Sequence, residues 1–173
     1  YPDVRAFYHA RNRGKGAALK TALAAARGEI ILFQDADLEQ DPRDYILLLA
    51  ALKHAHVVFG SRNLAPVGAS RYPHYALGGR IITTLVNILF NARLTDVNSG
   101  YKAIRREALR GMYIRADRFN FCEELTIRLL KSGVEIHEIP ISYTPRTFAE
   151  GKKIRALDGL RGLWTVIKYR FVV

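Results

Sequence analysis

Four carboxylates fall within ten residues in "FQDADLEQDP" (33–42): Asp35, Asp37, Glu39 and Asp41. They follow "EIILFQ" (29–34), a continuous β-branched and apolar run of the kind that forms a strand buried on both faces. In an extended chain, residues two apart project to the same side. Asp35, Asp37 and Glu39 are therefore expected to converge at the carboxyl end of that strand, where open α/β sheets take their ligands. Unpaired like charges at this spacing repel, and a hard divalent cation relieves the repulsion. An all-oxygen donor set suits Mg²⁺ or Mn²⁺, and such an ion would bridge to a diphosphate. The alternative is a solvated loop with Asp caps. Asp41, directly before Pro42, reads as such a cap.

Other chemistry-bearing residues are basic. Lys15 sits in "RNRGKG" (11–16), a glycine turn opening a helix, which suits anion binding through backbone N–H groups and its own charge. Helix punctuation is the plainer reading. The Gly-x4-Gly-Lys spacing of a nucleotide-binding P-loop is absent. Arg146 and Lys152 lie in "RTFAEGKK" (146–153), where Pro145 and Gly151 suit a hinged lid; a solvated basic turn is the alternative. Cys122 is the single cysteine, so no internal disulfide forms, and no histidine at a suggestive spacing would activate it. Histidines 9, 54, 56, 74 and 137 form no His-x3-His pair and read as structural or surface groups.

The elements that must position these groups alternate. Val4–His9 reads as a strand, "AALKTALAAAR" as a helix ended by Gly28, then come the 29–34 strand, a helix from Pro42 to about Lys53, and the strand "HVVFGS" (56–61). That order predicts an α/β domain with a parallel sheet. Beyond a loop over 62–76 come a helix over about 77–91, a turn and short strand in "DVNSGYKAIRRE" (96–107), a helix in "FCEELTIRLLKSG" closed by Gly133, and a strand in "VEIHEIPISY" (134–143). The last segment, "IRALDGLRGLWTVIKYRF" (154–171), is helical and amphipathic. It either packs on the domain or lies in a membrane interface, with Trp164 inward and Lys168 and Arg170 at the headgroups.

The 173 residues are 49% hydrophobic and 25% charged, which favours one packed domain over disorder. With 27 Lys and Arg against 16 Asp and Glu, the net charge of +11 implies a polyanionic partner: nucleic acid, an anionic membrane surface or a phosphorylated substrate. The apolar runs at 45–52 and 81–90 are too short to span a bilayer.

"DADLE" after an apolar strand, with "RNRGKGAAL" upstream and "VVFGSR", "TDVNSGYKAIRRE" and "IHEIPISYTPRTFAEGKKI" downstream, resembles the family-2 glycosyltransferases of the GT-A fold. Within them the chain is most similar to dolichyl- and polyprenyl-phosphate hexosyltransferases. The resemblance implies a Rossmann-like, mostly parallel sheet flanked by helices and lacking its first two strands. It implies metal-dependent, inverting transfer of a hexose from a nucleotide-sugar donor of the GDP-mannose or UDP-glucose type to a polyprenyl or dolichyl phosphate. By position, Asp35 and Asp37 would be the Asp-x-Asp pair that holds the metal and the donor diphosphate, with Glu39 in the place of a further ligand. Asp37, Glu124 and Arg146 would be catalytic. Lys15, Arg146 and Lys152 would hold the donor, and Arg62 and Arg80 the acceptor phosphate, with Arg71 a weaker candidate. Asp96, Ser99 and Gly100 would line the site. The chain departs from the family around "FNFCEE", where Cys122 and Glu123 replace Glu and Pro.

The resemblance begins at the family's third strand, so the chain is expected to be a fragment of low activity, with "EIILFQ" at an exposed apolar edge. Residues 1–155 would form the incomplete catalytic domain and 156–173 the amphipathic helix, peripheral at the cytoplasmic face of a membrane. The rival readings are a non-catalytic scaffold of the same fold and a basic nucleic-acid- or membrane-binding module. No zinc-finger spacing or RNA-recognition signature supports nucleic acid as a partner.

Overall fold

The computed structural model describes residues 3–65, 73–147 and 156–172. Four strands form one sheet in the order β1-β3-β2-β4: β1 (Ile30–Phe33), β2 (Val57–Ser61), β3 (Lys102–Arg105) and β4 (Ile136–Pro140). β3 runs antiparallel to both β1 and β2, while β2 and β4 are parallel. The sheet is therefore mixed where a mostly parallel one is expected. Three strands still point the same way, and β3 runs against them because its chain re-enters from the opposite end. This arrangement serves the site. β1, β2 and β4 end, and β3 begins, at one edge of the sheet, with Lys102 level with Phe33 and Phe59 in the register.

Among the described residues, five helices pack around the sheet: α1 (Lys15–Ala25), α2 (Tyr45–Ala51), α3 (Pro73–Phe90), α4 (Phe121–Lys131) and α5 (Ala156–Phe171). Strand alternation sorts the core. Ile31, Phe33, Val57, Phe59 and Ile104 face α4 and α1, burying Phe121, Leu125 and Leu129 with them. Val58, Ala103 and Tyr101 face α2 through Leu48 and Leu52. A further layer joins α3, α4 and α5 through Ile82, Val86, Ile127, Val166 and Tyr169. Asp41 caps the 3-10 turn Pro42–Asp44 ahead of α2, accepting from the Arg43 N–H as its place before Pro42 predicts. Gly133, at φ 77, closes α4.

The strand expected over Val4–His9 does not form. No strand of the described sheet lies beside this segment. Its side chains turn to α1 instead, with Arg5 donating to the Ala25 carbonyl at 2.6 Å and His9 pairing with Thr21 at 2.9 Å. β1 is an edge strand, as expected. Ile31 and Phe33 are nonetheless buried, and Ile30 is 37% exposed, so the open edge is mainly backbone.

Candidate acidic site at the strand ends

The acidic turn after β1 is stitched to the segment after β4. Gln40 bridges to Tyr143, and the Thr144 N–H donates to the Glu39 carbonyl at 2.8 Å. The Asp44 carboxylate accepts from the Ser142 N–H at 2.6 Å. The three carboxylates expected to converge are each engaged by a cation or donor from another element. Asp35 Oδ2 lies 2.6 Å from Lys15 Nζ. Asp37 Oδ2 accepts from Arg146 Nη2 at 2.9 Å. Glu39 accepts from the Arg146 N–H at 3.0 Å and from the Tyr143 hydroxyl at 3.1 Å, with Arg146 Nε 3.6 Å away.

Burial works against the Lys15 charge, but the Asp35 carboxylate, with Asp37 adding to its pull, outweighs it and holds Lys15 above its ordinary value of 10.5. Burial pushes the Cys122 thiol up, so it stays protonated and Asp35 is the effective counter-ion. The glycine turn before α1 is used for packing. The Ala17 N–H donates to the Asp117 carbonyl at 3.0 Å, and Gly14, at φ 100, presses against the same carbonyl.

The turn before β3 completes the edge. Glu138 of β4 accepts from the N–H groups of Thr95 and Asp96 at 2.6 and 2.9 Å, fixing the turn. Arg62, at the end of β2, grips Asp96 through Nε at 2.7 Å and Nη2 at 2.8 Å. Burial pushes the Asp96 carboxyl up, yet the Arg62 guanidinium more than offsets this and leaves it below its ordinary value. Ser99 is buried against Gln40. A Cβ on Gly100 would overlap the Asp35 carboxylate and lie 3.0 Å from Gln40 Oε1, so glycine lets this turn close on the acidic cluster without displacing Asp35. Asp96, Ser99 and Gly100 thus do meet the strand-end site.

Arg62, paired with Asp96, stands 5.1 Å from the centre of the Tyr143 ring and so stays beside the acidic turn. Other expected site residues fall elsewhere. Arg80 is exposed on α3 and makes no described contact with the acidic turn or with Arg62. Arg71 and Lys152 lie outside the described residues. Glu124, expected to face the acceptor, is taken up by structure. It accepts from the N–H groups of Arg115 and Ala116 at 2.9 and 2.7 Å, from Arg128 at 2.7 Å and from the Tyr169 hydroxyl at 2.7 Å. Its carboxylate locks α4 to the 115–116 loop and to α5.

Sequence reasoning missed Glu123, Lys102 and Gln40. Glu123 is 3% exposed; one oxygen meets Asn98 at 3.2 Å and the other has no hydrogen-bond partner. Burial pushes it up to about 7, against the pull of Lys102 and Asn98. Lys102 is buried over the Phe59 ring at 3.7 Å and donates to the Val97 carbonyl at 3.0 Å; burial pulls it down. The only sequence signal for Glu123 was its place in the irregular "FNFCEE".

The donor chemistry of Asp35, Asp37 and Glu39 fits a hard cation, and two cationic side chains already stand in for one. No three His, Cys, Asp or Glu among the described residues converge on a single point, because Lys15 holds Asp35 while Arg146 holds Asp37 and Glu39. At the opposite end of the sheet, His54, His56, Glu107 and His137 line a cavity of about 420 Å³.

Comparison with known proteins bears on this arrangement. The profile of Glycosyl transferase family 2 matches residues 1–112. The chain belongs to that family. Among curated family-2 relatives, Glycosyltransferase AglD of Haloferax volcanii is 27% identical over 88% of this chain and 25% of its own length. Undecaprenyl-phosphate mannosyltransferase of Micrococcus luteus is 27% identical over 91% of this chain and 68% of its own. Glucosyl-3-phosphoglycerate synthase of Mycobacterium tuberculosis, solved with UDP, superposes with a TM-score of 0.66 at 20% identity, covering 99% of this chain and 58% of that one. The same synthase has been crystallised with Mn²⁺, UDP and phosphoglyceric acid. The chain therefore shares the GT-A-like fold and spans between a quarter and about two thirds of these proteins.

Proposed function

We propose that this family-2 glycosyltransferase chain moves a hexose from a nucleotide-sugar donor to the phosphate of a polyprenyl lipid, with inversion at the anomeric carbon. The observation that carries the reading is the gathering of Asp35, Asp37 and Glu39 with Lys15 and Arg146 at the carboxyl ends of the strands. The name of the undecaprenyl-phosphate relative supports the acceptor, and the Mn²⁺ complex of the solved neighbour supports a divalent ion, Mg²⁺ or Mn²⁺.

Asp37 with Asp35 or Glu39 would hold that ion, which would screen the charge of the donor diphosphate. Lys15 and Arg146 supply positive charge beside the leaving diphosphate, where it lowers the barrier. The attacking oxygen belongs to a phosphate already ionised at neutral pH, so orientation matters more than a strong base. Arg62, carried at a strand end by Asp96, together with Arg80 is assigned to that acceptor phosphate, and Lys152 to the donor. Residues 1–155 form the catalytic body in this reading, and the outer face of α5 rests on the cytoplasmic side of a membrane. Among the described residues, no helix is long and apolar enough to cross a membrane.

The test is a transfer assay with GDP-mannose, UDP-glucose or UDP-N-acetylglucosamine, Mn²⁺ and polyprenyl phosphate. Asp37→Asn should lower turnover at least about a hundredfold with folding intact. Unchanged turnover in that variant would remove the acidic turn from the mechanism.

A further inference from the structure

Arg146 occupies the carboxylates that the proposed function needs for a cation. Its Nη2 donates to Asp37 at 2.9 Å, its backbone N–H donates to Glu39 at 3.0 Å, and its Nε stands 3.6 Å from the same carboxylate. That Nε is buried and makes no hydrogen bond, so the guanidinium is held by charge more than by a complete set of donors. The side chains are partly shielded, at 29% exposure for Arg146, 25% for Asp37 and 14% for Glu39, which strengthens the attraction over that of a surface pair. Lys15 holds Asp35 apart from the other two.

We infer that Arg146 is an internal competitor for the metal: it closes the resting acidic turn and must release Asp37 and Glu39 before a divalent cation takes them. This rests on the reading of that turn as a cation and diphosphate seat. The physical reason is charge balance. Three carboxylates at one strand end repel unless positive charge lies among them, and Lys15 and Arg146 supply it from the chain itself. An incoming ion and Arg146 cannot both sit on Asp37 and Glu39. A diphosphate arriving with the ion offers the displaced guanidinium a better partner, because its fork matches phosphate oxygens. The ion alone therefore binds weakly, and the ion and diphosphate favour one another's binding.

The experiment is a Mn²⁺ titration of the 173-residue chain without nucleotide, read by loss of the free-ion electron paramagnetic resonance signal. Arg146→Gln should tighten Mn²⁺ binding about tenfold, the scale of losing one charge-assisted contact. Arg146→Lys, which keeps a cation with fewer donors, should fall between it and the wild type. Arg43→Gln removes an exposed charge paired only with Asp41 in the described contacts, and should change the affinity less than about twofold. In ¹⁵N spectra, Mg²⁺ should shift the Arg146 Nε signal of the wild type as the pair opens. Equal affinity in wild type and Arg146→Gln, or an equal gain in Arg43→Gln, overturns the competition while leaving the metal seat standing. Failure of both wild type and Arg146→Gln to bind Mn²⁺, with circular dichroism showing intact folding, overturns the metal seat and the competition together.

Discussion

Glu123 and Glu124 are neighbours on the first turn of α4, and the fold treats them oppositely. Glu124 receives two backbone N–H groups, a guanidinium and a hydroxyl, and is held below its ordinary value despite burial. Glu123 keeps a buried oxygen without a partner and is pushed up to about 7. A carboxyl raised from 4.5 favours the fold below pH 4.5, where both states are protonated. The advantage is lost as pH rises to about 7, because the unfolded chain gives up its proton first. The full loss is on the order of 3 kcal/mol. Glu123→Gln should therefore be more stable than wild type at pH 8 and about equal at pH 4.5, as urea denaturation would read. Equal stability at both would show that Glu123 is already well solvated or paired. The family resemblance singles out Glu124, but nothing local in "FNFCEE" says which carboxylate is paired, since their partners come from the 115–116 loop, α5 and Asn98.

At the scale of elements, "DADLE" does carry its carboxylates to the strand end, but among the described residues they pair with separate cations from distant segments instead of converging on one point. The acidic turn has its shape because residues 143–146 pair with it and because the turn before β3 presses Gly100 onto Asp35. Gly100→Ala should displace Asp35, weaken Mn²⁺ binding and cost about 1–3 kcal/mol of stability, as overpacking generally does. Gly79→Ala is the control: a Cβ there meets nothing within 4 Å, and alanine favours the α3 helix. If both variants bind Mn²⁺ like the wild type, the close approach at Gly100 is unimportant to the site. The residue patterns found all five described helices and all four described strands within a few residues of where they form. They failed for Val4–His9, whose strand-like alternation has no partner strand in the described sheet.

At the scale of the whole molecule, α5 packs one face on the domain and leaves an apolar stripe exposed on the other. Gly162, Thr165, Val166 and Tyr169 are buried against the body, and Tyr169 binds Glu124. Leu157, Leu160, Trp164, Ile167 and Phe171 follow a three-four spacing along the outer face and stay exposed, Trp164 at 65%. Lys168 and Arg170 lie beside this stripe on a chain of net charge +11. Such a face suits the surface of an anionic bilayer. Trp164 is the single tryptophan, so its emission should shift to the blue on adding phosphatidylglycerol vesicles, less so with neutral lipid or high salt. Trp164→Glu with Leu160→Glu should reduce vesicle binding more than about tenfold by sedimentation. An emission spectrum unmoved by anionic vesicles would rule out this face as the contact.

The sequence by itself determined the family, the α/β alternation and the acidic turn at a strand end, because these follow from local residue order and from spacing along one element. Only the tertiary structure decided which carboxylates are paired and by what. Arg146 meets Asp37 across 109 positions, Arg62 meets Asp96 across 34, and Tyr169 meets Glu124 across 45. Such pairings depend on how strands and helices close on one another, and no periodicity within a single segment encodes them. They decide which charges stay available for chemistry.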